Sequence, residues 1–373
     1  MSDRNVSLDV LRGALLVLMT MTHLPTVWSG FFGEPLGFIS AAEGFVFLSA
    51  FMAGKIFTQY QQRNGVVAAS RWMWGRAARI YSLHMLLLLL AFTLFAWIAL
   101  RFHRPAVANL LDFYFHAPRK AVVTGAMLIY QPALLDILPM YVLFCLVTPA
   151  LMRGATRWGW SRVIAASAAI WVAAQFGLRH LLHDFLTRVL SWDMPMTAMG
   201  AFDILAWQLL WVLGLWFGAL GFGQTQAVVR SGRRVLNLAL AVSCAIFAWR
   251  RYSGPMGFSD LAMHLFWIDK WTLSPVRLVN LAALLCVLTG FGTQLSKYCR
   301  IPVLALLGRA SLWVFGAHVA IVLTVLCLVD DADYRFGGWT GVTIILLAYG
   351  LLWLVAAIHA SLRRRPQPVP SLN

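Results

Sequence analysis

The sequence predicts an all-α fold: a polytopic integral membrane helical bundle of about ten transmembrane helices. Three observations carry that expectation. Of the 373 residues, 61% are hydrophobic and 12% charged, and a soluble domain is about a quarter charged. Apolar runs of the roughly 20 residues needed to cross a hydrocarbon core recur along the chain. The 30 Lys and Arg residues fall mostly between those runs. The net charge of +16 then reports membrane sidedness, not a nucleic-acid partner.

In chain order the runs lie at 8–24, 37–56, 80–100, 127–151, 163–180, 202–221, 235–250, 276–294, 302–328 and 341–362. The first follows a short basic region but has no small-residue cleavage site, so it is expected to be a retained span. The second carries Gly44, Ala50, Ala53 and Gly54, small residues that let helices approach closely. Seventeen Trp and 24 Phe suit lipid-facing and interfacial surfaces. No repeat and no soluble domain interrupts the series, so residues 1–362 are expected to form one transmembrane domain. The tail 363–373, "RRRPQPVPSLN", is polar and Pro-rich.

Ten spans put both termini on one side. With the amino terminus in the cytoplasm, 18 of the 30 basic residues are cytoplasmic, 11 lie opposite and Arg309 falls within a span. The rule for orientation counts Lys and Arg, so both termini are expected in the cytoplasm. The five cysteines (Cys145, Cys244, Cys286, Cys299, Cys327) are scattered and form no CxxC pair, which suggests neither zinc nor a disulfide framework.

The first span, "SLDVLRGALLVLMTMTH", keeps three ionisable groups: Asp9, Arg12 and His23. A helix turns about 100° per residue, so spacings of three and eleven place them on nearly one face. Ionisable groups inside a membrane usually face a bundle interior or watery cavity. Spacing alone leaves a second reading open, in which Asp9 and Arg12 anchor at the interface and His23 snorkels. Glu43 begins the next span after a short loop, and a carboxylate beside an imidazole fixes its tautomer and raises its basicity. Arg71, Arg76 and Arg79 cluster before the third span. Such clusters are topology signals that also bind anionic lipid; arginine also engages phosphate bidentately.

These residues resemble a known family. "R…SLDVLRG…H" from Arg4 to His23, "EGFVFLSAF" and "RAARIYSLH" are similar to the acyltransferase-3 superfamily of integral membrane acyltransferases. The closer resemblance is to its OpgC branch, which modifies osmoregulated periplasmic glucans with succinyl groups. "YQPALLDILPMYVL", "AFDILAWQLLWVLG" and "LGRASLWVFGAHVAIV" carry it through most of the chain. Ala50 departs from the superfamily's usual Gly after Leu-Ser, a small packing change. The resemblance implies a cytoplasmic acyl donor, an acceptor outside, and an essential histidine at the end of the first helix, here His23. It places the protein in the bacterial inner membrane, among its lipids. Arg12 is the arginine of the matching motif.

The mechanism expected is then transfer from acyl-CoA, in particular succinyl-CoA, with no tightly bound cofactor. Arg71, Arg76 and Arg79, with Arg12, would hold the donor phosphates. His23, oriented by Glu43, would deprotonate a glucan hydroxyl; a covalent acyl-histidine is the other route. Asp136 and His318 are further catalytic candidates, because each lies in an apolar run and needs a partner; His84 ranks below them. "RHLLHD", with His180, His183 and Asp184, has metal-like spacing but no further ligand in register, so no metal is expected. Trp192, Trp267, Trp271 and Tyr334 fall in outer loops, where they suit either sugar stacking or the interfacial belt. A succinyl carboxylate needs a cation, for which Arg101, Arg119, Arg179, Arg277 and Arg309 are candidates. A different envelope polysaccharide or lipid acceptor remains open, as does a proton-coupled carrier or flippase.

Overall fold

The computed structural model describes residues 6–190, 194–221, 233–292 and 301–364. The expected tail lies largely outside these residues, as do Arg4, Trp192 and Cys299. The described residues form helices and no strand, with one isolated bridge between Thr26 and Phe336. The principal helices are α1 (Val6–His23), α2 (Ala41–Leu90), α3 (Ile137–Trp158), α4 (Trp160–Gln175), α5 (Leu178–Leu190) and α6 (Ile204–Leu220). They are followed by α7 (Arg233–Ser253), α8 (Pro275–Gly290), α9 (Pro302–Arg309), α10 (Ser311–Leu326) and α11 (Gly338–Arg364).

Among the described residues five helices are long and apolar enough to cross a membrane, or seven if each of two bent pairs counts as one span, so the ten expected spans are not matched one for one. The physical reasons differ by element. The expected spans 37–56 and 80–100 lie in one helical rod, Ala41–Arg101, which breaks at Gly65 with φ 80° and ψ 166°. Only glycine adopts that conformation cheaply. The run 127–151 becomes helical only at Ile137, after an irregular stretch. Arg233, Arg234, Arg250 and Arg251 make the two ends of α7 polar. The 16 residues of α8 fall short of the roughly 20 a span requires. α4 and α5 meet at 79°, and α9 and α10 at 91°.

Small residues decide which helices touch. α6 packs along the first half of α2. There, Gly54 lies against the backbone of Leu215, and Gly214 and Gly218 lie against Phe47, Ala50 and Phe51. This is the close approach expected from the small residues of the second run. Gly44 meets the Leu15 side chain of α1. α1 packs on α9, where Gly13 abuts the Leu304 carbonyl and Gly308 abuts the Asp9 carbonyl. α3 leans on α2, α4 on α6, α7 on α8 and α10 on α11. Trp207 and Trp211 fill the centre, and Trp211 donates its indole N–H to the Thr148 hydroxyl at 3.0 Å.

A side chain at the α1–α9 crossing would drive backbone into backbone. Gly308→Ala is expected to lower stability by about 1–3 kcal/mol, the usual cost of overpacking. Gly350→Ala on α11, with open space around it, should raise it by up to about 1 kcal/mol, the helix-propensity difference. Thermal unfolding in one detergent compares the two, and equal midpoints would remove the crossing from this account.

Candidate functional site

The site is built from the three ionisable groups of α1. Asp9 is buried and faces Arg309 at the end of α9, with Oδ2 3.5 Å from Nε. Arg12 donates to the hydroxyl of Ser311, the first residue of α10. His23, at the far end of α1, meets His318 of α10: His23 Nδ1 and His318 Nε2 are 3.0 Å apart. The two rings stack with centroids 5.2 Å apart and planes 26° from parallel. The bend between α9 and α10 therefore lets one broken helix reach all three polar positions on α1. His318 is only 1% exposed, and Phe315 packs on its ring edge-on at 5.3 Å.

The loop after α1 is tied down as well. Val27 donates its amide to the Phe336 carbonyl at 3.1 Å, and the Phe336 amide donates to Pro25 at 2.8 Å. Leu24 is fully buried against Val322, Val325 and Ala348. His23 is thus held by apolar packing immediately beyond it and by His318 alongside.

Glu43 has other partners than His23. It closes the amino end of α2 as a capping box, accepting from the Ser40 amide at 3.0 Å and from the Ser40 hydroxyl. Its second oxygen accepts from Arg277 at 2.7 Å. Arg277 also binds Glu34 and donates to the Ile268 carbonyl at 2.6 Å, and Arg250 binds Glu34 at 3.1 Å. Glu43 and Arg277 are 0% and 4% exposed, so this is a buried charge chain joining α2, α8 and α7. Paired charges of this kind are needed where burial would otherwise leave ions bare.

The arginines before the third expected span separate. Arg71 and Arg79 are exposed, and Arg79 donates to the Gly75 carbonyl. Arg76 is half-buried, and its charge acts together with that of Arg12 on Tyr141 of α3. Arg12 and Arg76 are thus both within electrostatic reach of Tyr141.

Asp136, immediately before α3, accepts from the Ala201 amide at 3.3 Å and lies beneath Gly200 and beside Gln131. Burial pushes its carboxyl up to about 6, against the opposing effects of that amide and of Lys270. His84 is buried beside the backbone of Gly125. His183 contacts Asp184 and the Met194 carbonyl, while His180 is exposed. Among the described residues no three His, Cys, Asp or Glu side chains gather as a metal site.

Of the cations considered for an acyl carboxylate, Arg277 is taken by two glutamates, and Arg309 faces Asp9. Arg179 donates to the carbonyls of Met199, Gly200 and Ala201. Arg101 and Arg119 are exposed. The structure adds a residue that the sequence reading passed over: Lys270, whose charge reaches His23, Glu43 and Asp136. Its signal was its place between Trp267 and Trp271, which were noticed without it.

An all-helical chain with membrane-length helices and an interior histidine pair is a polytopic membrane protein with a polar centre. Its residues 4–364 match the family model described as OpgC protein, and the chain belongs to that family. That membership suggests a transferase that modifies osmoregulated periplasmic glucans by acylation. No curated protein and no solved structure matches the chain.

Two outcomes follow from the buried charges. Arg277→Ala leaves Glu43 and Glu34 without their shared cation and should destabilise the protein by about 3–5 kcal/mol. The exposed Arg119→Ala should cost under about 0.5 kcal/mol; equal unfolding midpoints would contradict the chain's role. Asp136 is an acid with a raised folded pKa, so folding favours its protonated form. Its contribution falls as pH rises from 3.8, its ordinary value, through about 6. Infrared spectra should show a protonated carboxyl titrating near pH 6 that Asp136→Asn removes.

Proposed function

We propose that the protein is a transmembrane acyltransferase that moves a succinyl group from cytoplasmic acyl-CoA to hydroxyls of periplasmic glucans. The observation that carries this reading is the 3.0 Å pairing of His23 with His318 at one end of a polar helix face. Arg12 marks the other end, about eleven residues or roughly 16 Å away along the helix. The amino terminus is taken as cytoplasmic, which puts Arg12 on the donor side and His23 on the acceptor side.

In this mechanism Arg12 and Arg76 receive the donor's phosphates, with Arg71 and Arg79 attracting the anion from the surface. The pantetheine arm runs along α1 and brings its thioester to His23. In this scheme the proton of the neutral His318 ring sits on Nδ1, away from His23. His318 Nε2 is then an acceptor, His23 Nδ1–H donates to it, and His23 Nε2 keeps a free lone pair. This assignment makes His318, not Glu43, the group that orients the base. His23 Nε2 takes the proton of the glucan hydroxyl as its oxygen attacks the thioester carbon. The tetrahedral adduct collapses, the carbon–sulfur bond breaks, and the proton passes from His23 to the departing thiolate. Asp136 and Glu43 support the frame and take no proton in this scheme. Lipid surrounds the helices, and no tightly bound cofactor is used.

The two bent helix pairs favour a second reading, because carriers also build their sites from broken helices. Glucan profiles of a deletion strain separate the two. Loss of succinyl esters with normal periplasmic glucan supports the transferase, and loss of the glucan itself supports a carrier. In purified protein, His23→Ala should slow release of free CoA by about 10²–10⁴-fold. His318→Gln should slow it by about tenfold, the worth of one orienting hydrogen bond. A folded His23→Ala protein that transfers at the normal rate would overturn the scheme.

A further inference from the structure

The turn that carries Lys270 is pinned on every side. The Ile268 carbonyl accepts from Arg277, and the Trp271 carbonyl accepts from the Asp203 amide at 2.9 Å and the Trp207 indole at 3.1 Å. The Thr272 carbonyl accepts from Gln175 at 2.9 Å and the Leu273 carbonyl from Trp171 at 3.0 Å. Asp269 closes the turn by accepting from the Thr272 amide and hydroxyl, each at 2.9 Å. Contacts from α4, α6 and α8 therefore hold one lysine in place.

The Lys270 ammonium lies 4.9 Å from the Trp271 ring centroid and 5.9 Å from that of Phe202. No carboxylate or carbonyl bonds to it among the described residues, although its charge reaches His23. The nearby acids are already engaged: Glu43 and Glu34 by arginines, and Asp136 by the Ala201 amide. Burial lowers the Lys270 pKa, with Glu43 the strongest opposing influence. Aromatic faces hold a cation loosely enough to leave its N–H donors for another anion. A cation on a pinned turn, within electrostatic reach of His23 and held only by two aromatic rings, can take the far end of a short charged group.

We infer that Lys270 is a specificity residue that binds the distal carboxylate of a dicarboxylic acyl group while its thioester carbon lies at His23. The inference rests on the transferase reading and deepens it, because it explains how a charged acyl group is chosen over an uncharged one of equal length. The buried Phe202 and the part-exposed Trp271 flank the ammonium.

The test uses the full-length protein in nanodiscs with two donors, succinyl-CoA and butyryl-CoA, which share a four-carbon acyl chain. Calorimetry reads binding of each, and thiol release reads transfer to glucan. Lys270→Met should weaken succinyl-CoA binding about 10- to 100-fold, the range of one charge-assisted hydrogen bond, with butyryl-CoA unchanged. Lys270→Arg should recover part of that loss. Equal weakening of both donors would make Lys270 a structural residue and overturn the inference, as would no weakening of either. Lys270-dependent binding of succinyl-CoA without transfer to glucan would remove the proposed function and leave this site standing. Normal succinyl transfer with no effect of Lys270→Met would remove this site alone.

Discussion

Taking three ionisable groups on one helix out of water requires partners at three heights, and a single straight neighbour would have to stay parallel to supply them. Here the neighbour is broken. Gly13 and Gly308 bring α1 and α9 into backbone contact, which places Arg309 beside Asp9. The chain then turns by 91°, and α10 reaches Arg12 with Ser311 and His23 with His318. The bend, the glycine crossing and the histidine pair depend on one another. Without the close crossing, Arg309 and Ser311 would stand off from α1, and buried charge without a partner is among the most costly defects a fold can carry.

A second polar layer holds the frame. Glu43 caps α2 and shares Arg277 with Glu34, so the amino end of α2, the loop before it and α8 are fixed by one set of charges. The same arginine grips the Ile268 carbonyl at the start of the Lys270 turn. Glu43 thus fastens the amino end of α2 to α8. Asp136 does similar work at the amino end of α3, where it catches the Ala201 amide ahead of α6.

Much of the helix content was legible, because apolar runs of membrane length have few other uses. Helix number was not. Gly65 joins two expected spans into one broken rod, and the arginines at the ends of α7 and the shortness of α8 take both below span criteria. The close packing of α2 against α6 was foreshadowed by Ala50 and Gly54, whose small size matters only once Gly214 and Leu215 arrive opposite.

The sequence by itself determined the class of fold, the one-face alignment of Asp9, Arg12 and His23, and the family. Helical periodicity and hydropathy are local properties, readable along the chain. Only the tertiary structure decided which partner each group takes. His23 went to His318, almost 300 residues away, and Glu43 to Arg277. It also left Arg76 part-buried while Arg71 and Arg79 are exposed, and it put Lys270 against Trp271 and Phe202. Hydrogen bonds and ion pairs act over a few ångströms, so their pairing is set by how helices cross, and crossings depend on bends and glycines spread through the whole chain.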